Sequence, residues 1–99
     1  MYEVRLAAGA AGDLDRLPPF HRHRIVDAIE SQLTHQPEVQ TRNRKLLQRA
    51  LAGWRGNPQV WELRVGDFRV FYDIDSEQRT VVVRAIRRKP PHRTTEETL

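Results

Sequence analysis

Apolar and polar positions alternate at the start of the chain: Tyr2, Val4 and Leu6 fall on one side of an extended segment and Glu3 and Arg5 on the other, which predicts a half-buried strand over residues 2–6. Ala10, Leu14 and Leu17 then recur at helical spacing until Pro18-Pro19, where the missing donor and the restricted residue before proline end the pattern, so the first helix is short. After the prolines Ile25, Ala28, Ile29 and Leu33 form a narrow apolar stripe, with Arg22, Arg24, Asp27 and Glu30 mostly outside it; this predicts a second amphipathic helix that ends before Pro37. Residues 38–59 are polar and basic, with Leu46, Leu47, Leu51 and Trp54 among Arg42, Arg44, Lys45, Arg49 and Arg55, and read as an irregular connection with room for one helical turn. Trp54 and Trp61 read as packing residues.

Three segments of strand composition follow, residues 60–65, 68–74 and 80–86. Gly66-Asp67 separates the first two and Asp75-Ser76-Glu77-Gln78 lies between the last two, hairpin-length connections that predict an antiparallel meander. The tail after Pro90-Pro91 has helical promise only over residues 94–99. This order predicts an α+β fold: two N-terminal helices packed on one face of a small, mostly antiparallel four-stranded sheet, in the order β-α-α-β-β-β with a short C-terminal tail. The 99 residues make one domain, 1–99.

The opposite sheet face is then open. Strand alternation puts Trp61, Leu63, Val65, Phe68, Val70, Tyr72, Ile74, Val81, Val83 and Ala85 inward. It leaves Glu62, Arg64, Arg69, Phe71, Asp73, Val82, Arg84 and Ile86 on the open face, with Arg87, Arg88, Lys89, His92 and Arg93 following at its edge.

Charge gives that face its interest. Seventeen basic residues against thirteen acidic ones give a net charge of +4, and fifteen of the seventeen are arginine. Arginine grips phosphate with a planar fork of donors, whereas a GC-rich genome writing arginine for lysine explains the same count without function. The distribution is uneven: residues 1–36 sum to −1 and residues 37–99 to +5. Arg64, Arg69 and Arg84 on neighbouring strands repel unless something anionic lies among them; Glu62 and Asp73 could balance them on a solvated face. Alternatively the face cradles phosphates, with Phe71 as a ring for a base to stack on. The absence of cysteine excludes disulfides, thiolate zinc sites and cysteine nucleophiles. His21 and His23 point about 200° apart on a helix, a poor geometry for one metal, so no metal or cofactor is expected. Strictly apolar runs reach only three residues. Neither a membrane span nor a signal peptide is therefore expected, and the location expected is the cytoplasm.

The stretch Trp61-Glu-Leu-Arg-Val-Gly-Asp-Phe-Arg-Val-Phe-Tyr-Asp-Ile74, with Val81-Val-Val-Arg-Ala-Ile86 and the basic segment after it, resembles the RelE/ParE superfamily of type II toxin-antitoxin toxins. The resemblance implies a RelE-like fold over the whole chain and is sharpest from Trp61 to about Arg93. It implies a toxin that enters the ribosome and cuts mRNA without a metal, repressing translation, and that a cognate antitoxin neutralises. Arg69 matches the arginine of the hairpin motif and is the first choice for the scissile phosphate. Arg64 matches a basic position on the preceding strand, and Arg87 or Arg88 the basic residue after the last strand. Glu62 stands where such nucleases carry a second basic residue; it serves as general base or neutralises Arg64. The tail lacks the aromatic these nucleases often carry, which leaves His92 as the substitute acid or base, or as an exposed loop histidine. Arg84, Phe71, Lys45, Lys89 and Arg93 complete the expected nucleic-acid surface. The same superfamily offers a second class, a ParE-like inhibitor that binds DNA gyrase and needs no catalysis, and a third, a catalytically silent RNA-binding module.

Overall fold

The computed structural model describes residues 1–47 and 59–89. Strand β1 (Glu3–Leu6) leads into α1 (Ala8–Asp15) and α2 (Pro19–Leu33), followed by β2 (Arg44–Leu47), β3 (Val60–Val65), β4 (Phe68–Asp75) and β5 (Thr80–Arg88). One sheet holds all five strands in the order β1-β5-β4-β3-β2, antiparallel except where β1 runs parallel to β5. The expected α+β class, with both helices contributing to one core, is what forms. The expected four strands become five, because β2 occupies part of the segment read as an irregular connection. Residues 48–58, with Trp54, and the tail from residue 90 lie outside the described residues.

Proline starts α2 at its first turn, where a missing N–H costs nothing and the fixed φ suits a helix. Its stripe of Ile25, Ile29 and Leu33 is buried with Trp61, Leu63, Val65, Val70 and Tyr72 of the sheet. Each such aliphatic side chain contributes about 1.5–3 kcal/mol when removed from water. Ala10 and Leu14 of α1 join the same core. Burial pushes the Tyr72 phenol above its ordinary range, so it keeps its proton and donates it to the Pro37 carbonyl at 2.8 Å, anchoring the loop after α2.

One departure from simple alternation shapes the far face. A bulge between Phe71 and Tyr72 in the pairing with β5 sets Phe71 opposite Ala85 and Tyr72 opposite Val83. One extra residue in β5, Arg84, reverses the faces beyond it. Ile86, expected on the open face, therefore packs in the main core, and Ala85, expected inward, joins Leu47, Val60 and Phe71 in a second buried cluster. That face is consequently not open along its length. Glu62 and Phe71 are fully buried on it, so Phe71 offers packing in place of an exposed ring for a base.

Helix α1 lies against the outer side of β5. Strand β1 reaches only as far as Val83, which would leave the later N–H groups of β5 without a partner strand. Asp13 of α1 accepts the Ile86 N–H at 3.0 Å and closes that edge.

Candidate nucleic-acid interface

The two-residue connection Gly66-Asp67 sets the register of the site. Gly66 has φ +58° and no positive φ occurs at Asp67, the φ pattern of a type II′ hairpin, which demands glycine first. With Val65 opposite Phe68, Arg64 falls opposite Arg69, and β5 adds Arg87 opposite Arg69. Arg64, Arg69 and Arg87 thus form one transverse row across the three strands, on the face away from α2. The row includes Arg87 where the simple alternation expected Arg84, because of the same bulge.

The members of this row differ in freedom. Arg69 is only 8% exposed; its Nη1 donates to the carbonyls of Gly66 and Phe68, both at 2.8 Å. Its Nε has no hydrogen-bond partner among the described residues and lies 4.0 Å from Glu62 Oε1. Burial lowers the Arg69 pKa from its ordinary value; the Glu62 charge opposes this and the Arg64 charge adds to it, and the guanidinium remains charged. Arg64 keeps 47% of its side chain exposed, with Nε 3.8 Å from Glu62 Oε1. Arg87 keeps 41%, and its Nη1 donates to Asp13.

Glu62 lies at the geometric centre of the charge pattern, beneath Arg64 and Arg69. Lys45 is its cross-strand neighbour on β2 and is exposed. Arg84 leaves the row and pairs with Asp73 at 2.6 Å. Arg88 sits over the Phe68 ring, 5.6 Å from its centroid, with Nη2 3.8 Å from Asp67, and Lys89 follows with its N–H on the Asp67 carbonyl. His92 and Arg93 lie outside the described residues. The structure therefore brings Arg64, Arg69, Arg87 and Glu62 together, places Arg88 and Lys89 at the hairpin end and Lys45 beside the row, and sets Arg84 apart with its own carboxylate. A sequence reading had no access to Asp13 or Arg24: Asp13 meets Arg87 across 74 positions of sequence, and the Arg24 guanidinium of α2 rests on Gly66. The one signal for Arg24 was the glycine of the turn, since a Cβ there would come within 2.7 Å of the Arg24 Nη2.

Such a row of cations over a buried carboxylate can hold an anion of several oxygens by charge and bidentate hydrogen bonds. The family profile of the ParE toxin of type II toxin-antitoxin system, parDE, matches residues 4–89. The chain belongs to the RelE/ParE family of type II toxin-antitoxin toxins. This toxin is 35% identical over 82 residues to Toxin RelG of Mycobacterium tuberculosis (strain ATCC 25618 / H37Rv), covering 83% of this chain and 84% of that one. The toxin-antitoxin complex RelBE2 of the same organism superposes with a TM-score of 0.72 at 33% identity, covering 89% of this toxin and 98% of that chain. The isolated E. coli RelE toxin shares the fold, with a TM-score of 0.68 at 16% identity over 96% of this toxin and 89% of that chain.

Proposed function

We propose that this toxin is a metal-independent, ribosome-dependent mRNA endonuclease that represses translation and is neutralised by a cognate antitoxin. The observation that supports it is the row Arg64, Arg69, Arg87, because RNA cleavage by an internal nucleophile develops its extra negative charge on the phosphate oxygens. In that reaction the 2′-hydroxyl loses a proton and attacks phosphorus. The 5′-oxygen leaves and takes up a proton, giving a 2′,3′-cyclic phosphate and a 5′-hydroxyl end. Arg64 and Arg87, half-exposed, contact the phosphate; Arg69 fixes the hairpin beneath them and adds its charge. Glu62, fully buried, holds the row together in preference to taking the proton. The antitoxin reading rests on the solved relatives that are complexes of a toxin with its antitoxin.

Purified toxin added with a chelator to ribosomes carrying a defined mRNA tests this directly. Cleaved mRNA with 5′-hydroxyl ends is expected, and loss of cleavage in Arg69→Ala with antitoxin binding retained. Intact mRNA on the ribosome, with or without toxin bound to it, ends the nuclease reading. A second reading, inhibition of DNA gyrase by binding, is favoured by the deep burial of Arg69 and Glu62, since an inhibitor that only binds needs no exposed acid–base group. Induction of the toxin in cells separates the two: protein synthesis stopping first supports cleavage, and a selective halt of DNA synthesis with mRNA intact supports gyrase.

A further inference from the structure

A second group of basic and aromatic side chains lies on the other side of the β3–β4 turn, outside the arginine row. Phe20, in the first turn of α2, is 73% exposed. Its ring meets the edge of His21 at a centroid distance of 5.4 Å, and His21 in turn meets Phe68 at 5.1 Å. Arg88 covers the Phe68 ring. Arg24 stands one helical turn beyond Phe20, at i+4 on the same side of α2, and rests on Gly66. No carboxylate forms an ion pair with Arg24 among the described residues. The strip Phe20, His21, Phe68, Arg88 and Arg24 therefore surrounds the turn from the helix side, while Arg69 holds the Gly66 carbonyl from the other.

We infer that this strip is a second contact for single-stranded RNA: a base stacks on the exposed Phe20 ring and the flanking phosphates lie on Arg24 and Arg88. The inference rests on the RNA reading of the arginine row and extends it to a strand that passes around the hairpin end. Two observations and a general property of stacking favour RNA over a protein partner. The other exposed large apolar residues among those described, Met1, Leu6 and Val39, belong neither to α2 nor to the hairpin, so the apolar surface at Phe20 is small, limited to its ring and the exposed Pro18 and Pro19 before it, with Arg24 at the next turn. Stacking suits a lone ring because each base presents a π-face, and nearby guanidinium groups supply the phosphate contact. The strip is also continuous with the row through Gly66, which both Arg24 and Arg69 touch.

The test is the affinity of purified toxin for a fluorescein-labelled oligouridine and for its abasic counterpart, followed by anisotropy over a series of salt concentrations. Phe20→Ala is expected to weaken oligouridine binding about tenfold at every salt concentration, and Phe20→Trp to restore it. The abasic strand is expected to bind both equally. Arg24→Ala is expected to weaken both strands and to lower the salt slope by about 0.7. Melting curves identify variants that remain folded. Unchanged oligouridine affinity in folded Phe20→Ala and Arg24→Ala, or a loss confined to antitoxin binding, overturns the strip. Assays of mRNA cleavage on ribosomes run beside these separate the two claims. A toxin that binds oligouridine through Phe20 yet leaves mRNA intact overturns the nuclease reading alone. Cleavage that continues in Phe20→Ala with unchanged KM and unchanged oligouridine affinity overturns the strip alone.

Discussion

Arg44 and Arg69 are buried alike, at 7% and 8% exposure, on opposite faces of the sheet. Arg44 pairs in register with Leu63 and so points to the helix side, where its Nε donates to the Val39 carbonyl at 3.0 Å and its Nη1 to the Gln32 carbonyl and side chain at 2.9 and 2.8 Å. It thereby serves a carbonyl in the last turn of α2 and meets the negative end of that helix. Arg69 faces the other way, between two further arginines in register, with Nε lacking a hydrogen-bond partner among the described residues. Burial by itself does not separate a structural arginine from a binding one. What separates them is the completeness of the hydrogen bonding and the neighbours: Arg44 meets oxygen atoms through both Nε and Nη1, whereas Arg69 bonds two carbonyls through Nη1 alone and stands in register with two further arginines, a crowding that an anion would relieve.

The largest expected effect breaks the structural member of this pair. Arg44→Met leaves two carbonyls that have lost their donor near the end of α2, and unfolding in urea is expected to show a loss of about 3 kcal/mol with an unchanged slope. A loss under about 1 kcal/mol would show that water replaces the guanidinium there and that the contrast with Arg69 is only one of position.

Arg44 also explains what the sequence concealed. Arg-Lys-Leu-Leu has no apolar alternation, so β2 read as part of a loop; the strand exists because a hydrogen-bonded guanidinium fills the core-side position that a hydrophobic residue marks in β3 and β4. The helices, the β3–β4 hairpin and the clustering of Arg64 with Arg69 were legible, because apolar spacing and the Gly-Asp turn determine them locally. Ala85 and Ile86 were assigned to the wrong faces, and Arg87, expected at the edge of the open face, falls within its row, since a single bulge shifts every face after it and period-two reasoning cannot see it. Arg84 was expected beside Arg64 and Arg69 with Asp73 as one candidate counter-charge; it does pair with Asp73, while the bulge gives its place opposite Arg69 to Arg87. Phe71 was read as surface because the pattern gives sides and not depth.

Glu62→Gln tests the anion on the Arg69 side of the comparison. The substitution keeps the shape and removes the buried charge that lies 3.8 Å from Arg64 and 4.0 Å from Arg69. These separations are long and Arg64 is half-exposed, so the expected loss is about 1–2 kcal/mol, below the cost of breaking a tight buried pair. The mRNA cleavage rate of the folded variant is expected to stay close to that of the parent. A fall of about 10²-fold or more would make Glu62 the group that takes the 2′ proton.

Arg69→Met sharpens the same contrast from the binding side. Two hydrogen bonds to turn carbonyls are lost and the buried Glu62 loses a flanking cation, while a desolvated charge beside Arg64 is also removed, so the stability is expected to fall by about 1 kcal/mol, less than in Arg44→Met. Growth arrest on induction is expected to disappear. A variant as unstable as Arg44→Met would place Arg69 with the structural arginines, and unchanged growth arrest by a folded variant would remove it from the site.

Arg87 is intermediate, and Asp13 decides to which side it belongs. One carboxylate oxygen accepts both the Ile86 N–H and the Arg87 guanidinium, while the other accepts Arg16 at 2.6 Å. Asp13→Asn retains an oxygen for the Ile86 N–H and removes only the charge. It is expected to cost about 0.5 kcal/mol at low salt and almost nothing in concentrated salt, because Arg87 and Arg16 are well exposed. Asp13→Ala also leaves the Ile86 N–H without its acceptor and is expected to cost about 1 kcal/mol more, with little response to salt. The difference between the two substitutions isolates the closure of the β5 edge from the tethering of Arg87. If Asp13 holds Arg87 in place over the row, Asp13→Asn raises KM for the mRNA-charged ribosome with little change in kcat. An unchanged KM alongside the expected salt-sensitive loss of stability would show that Arg87 reaches its anion without that tether, and that Asp13 serves the sheet edge alone.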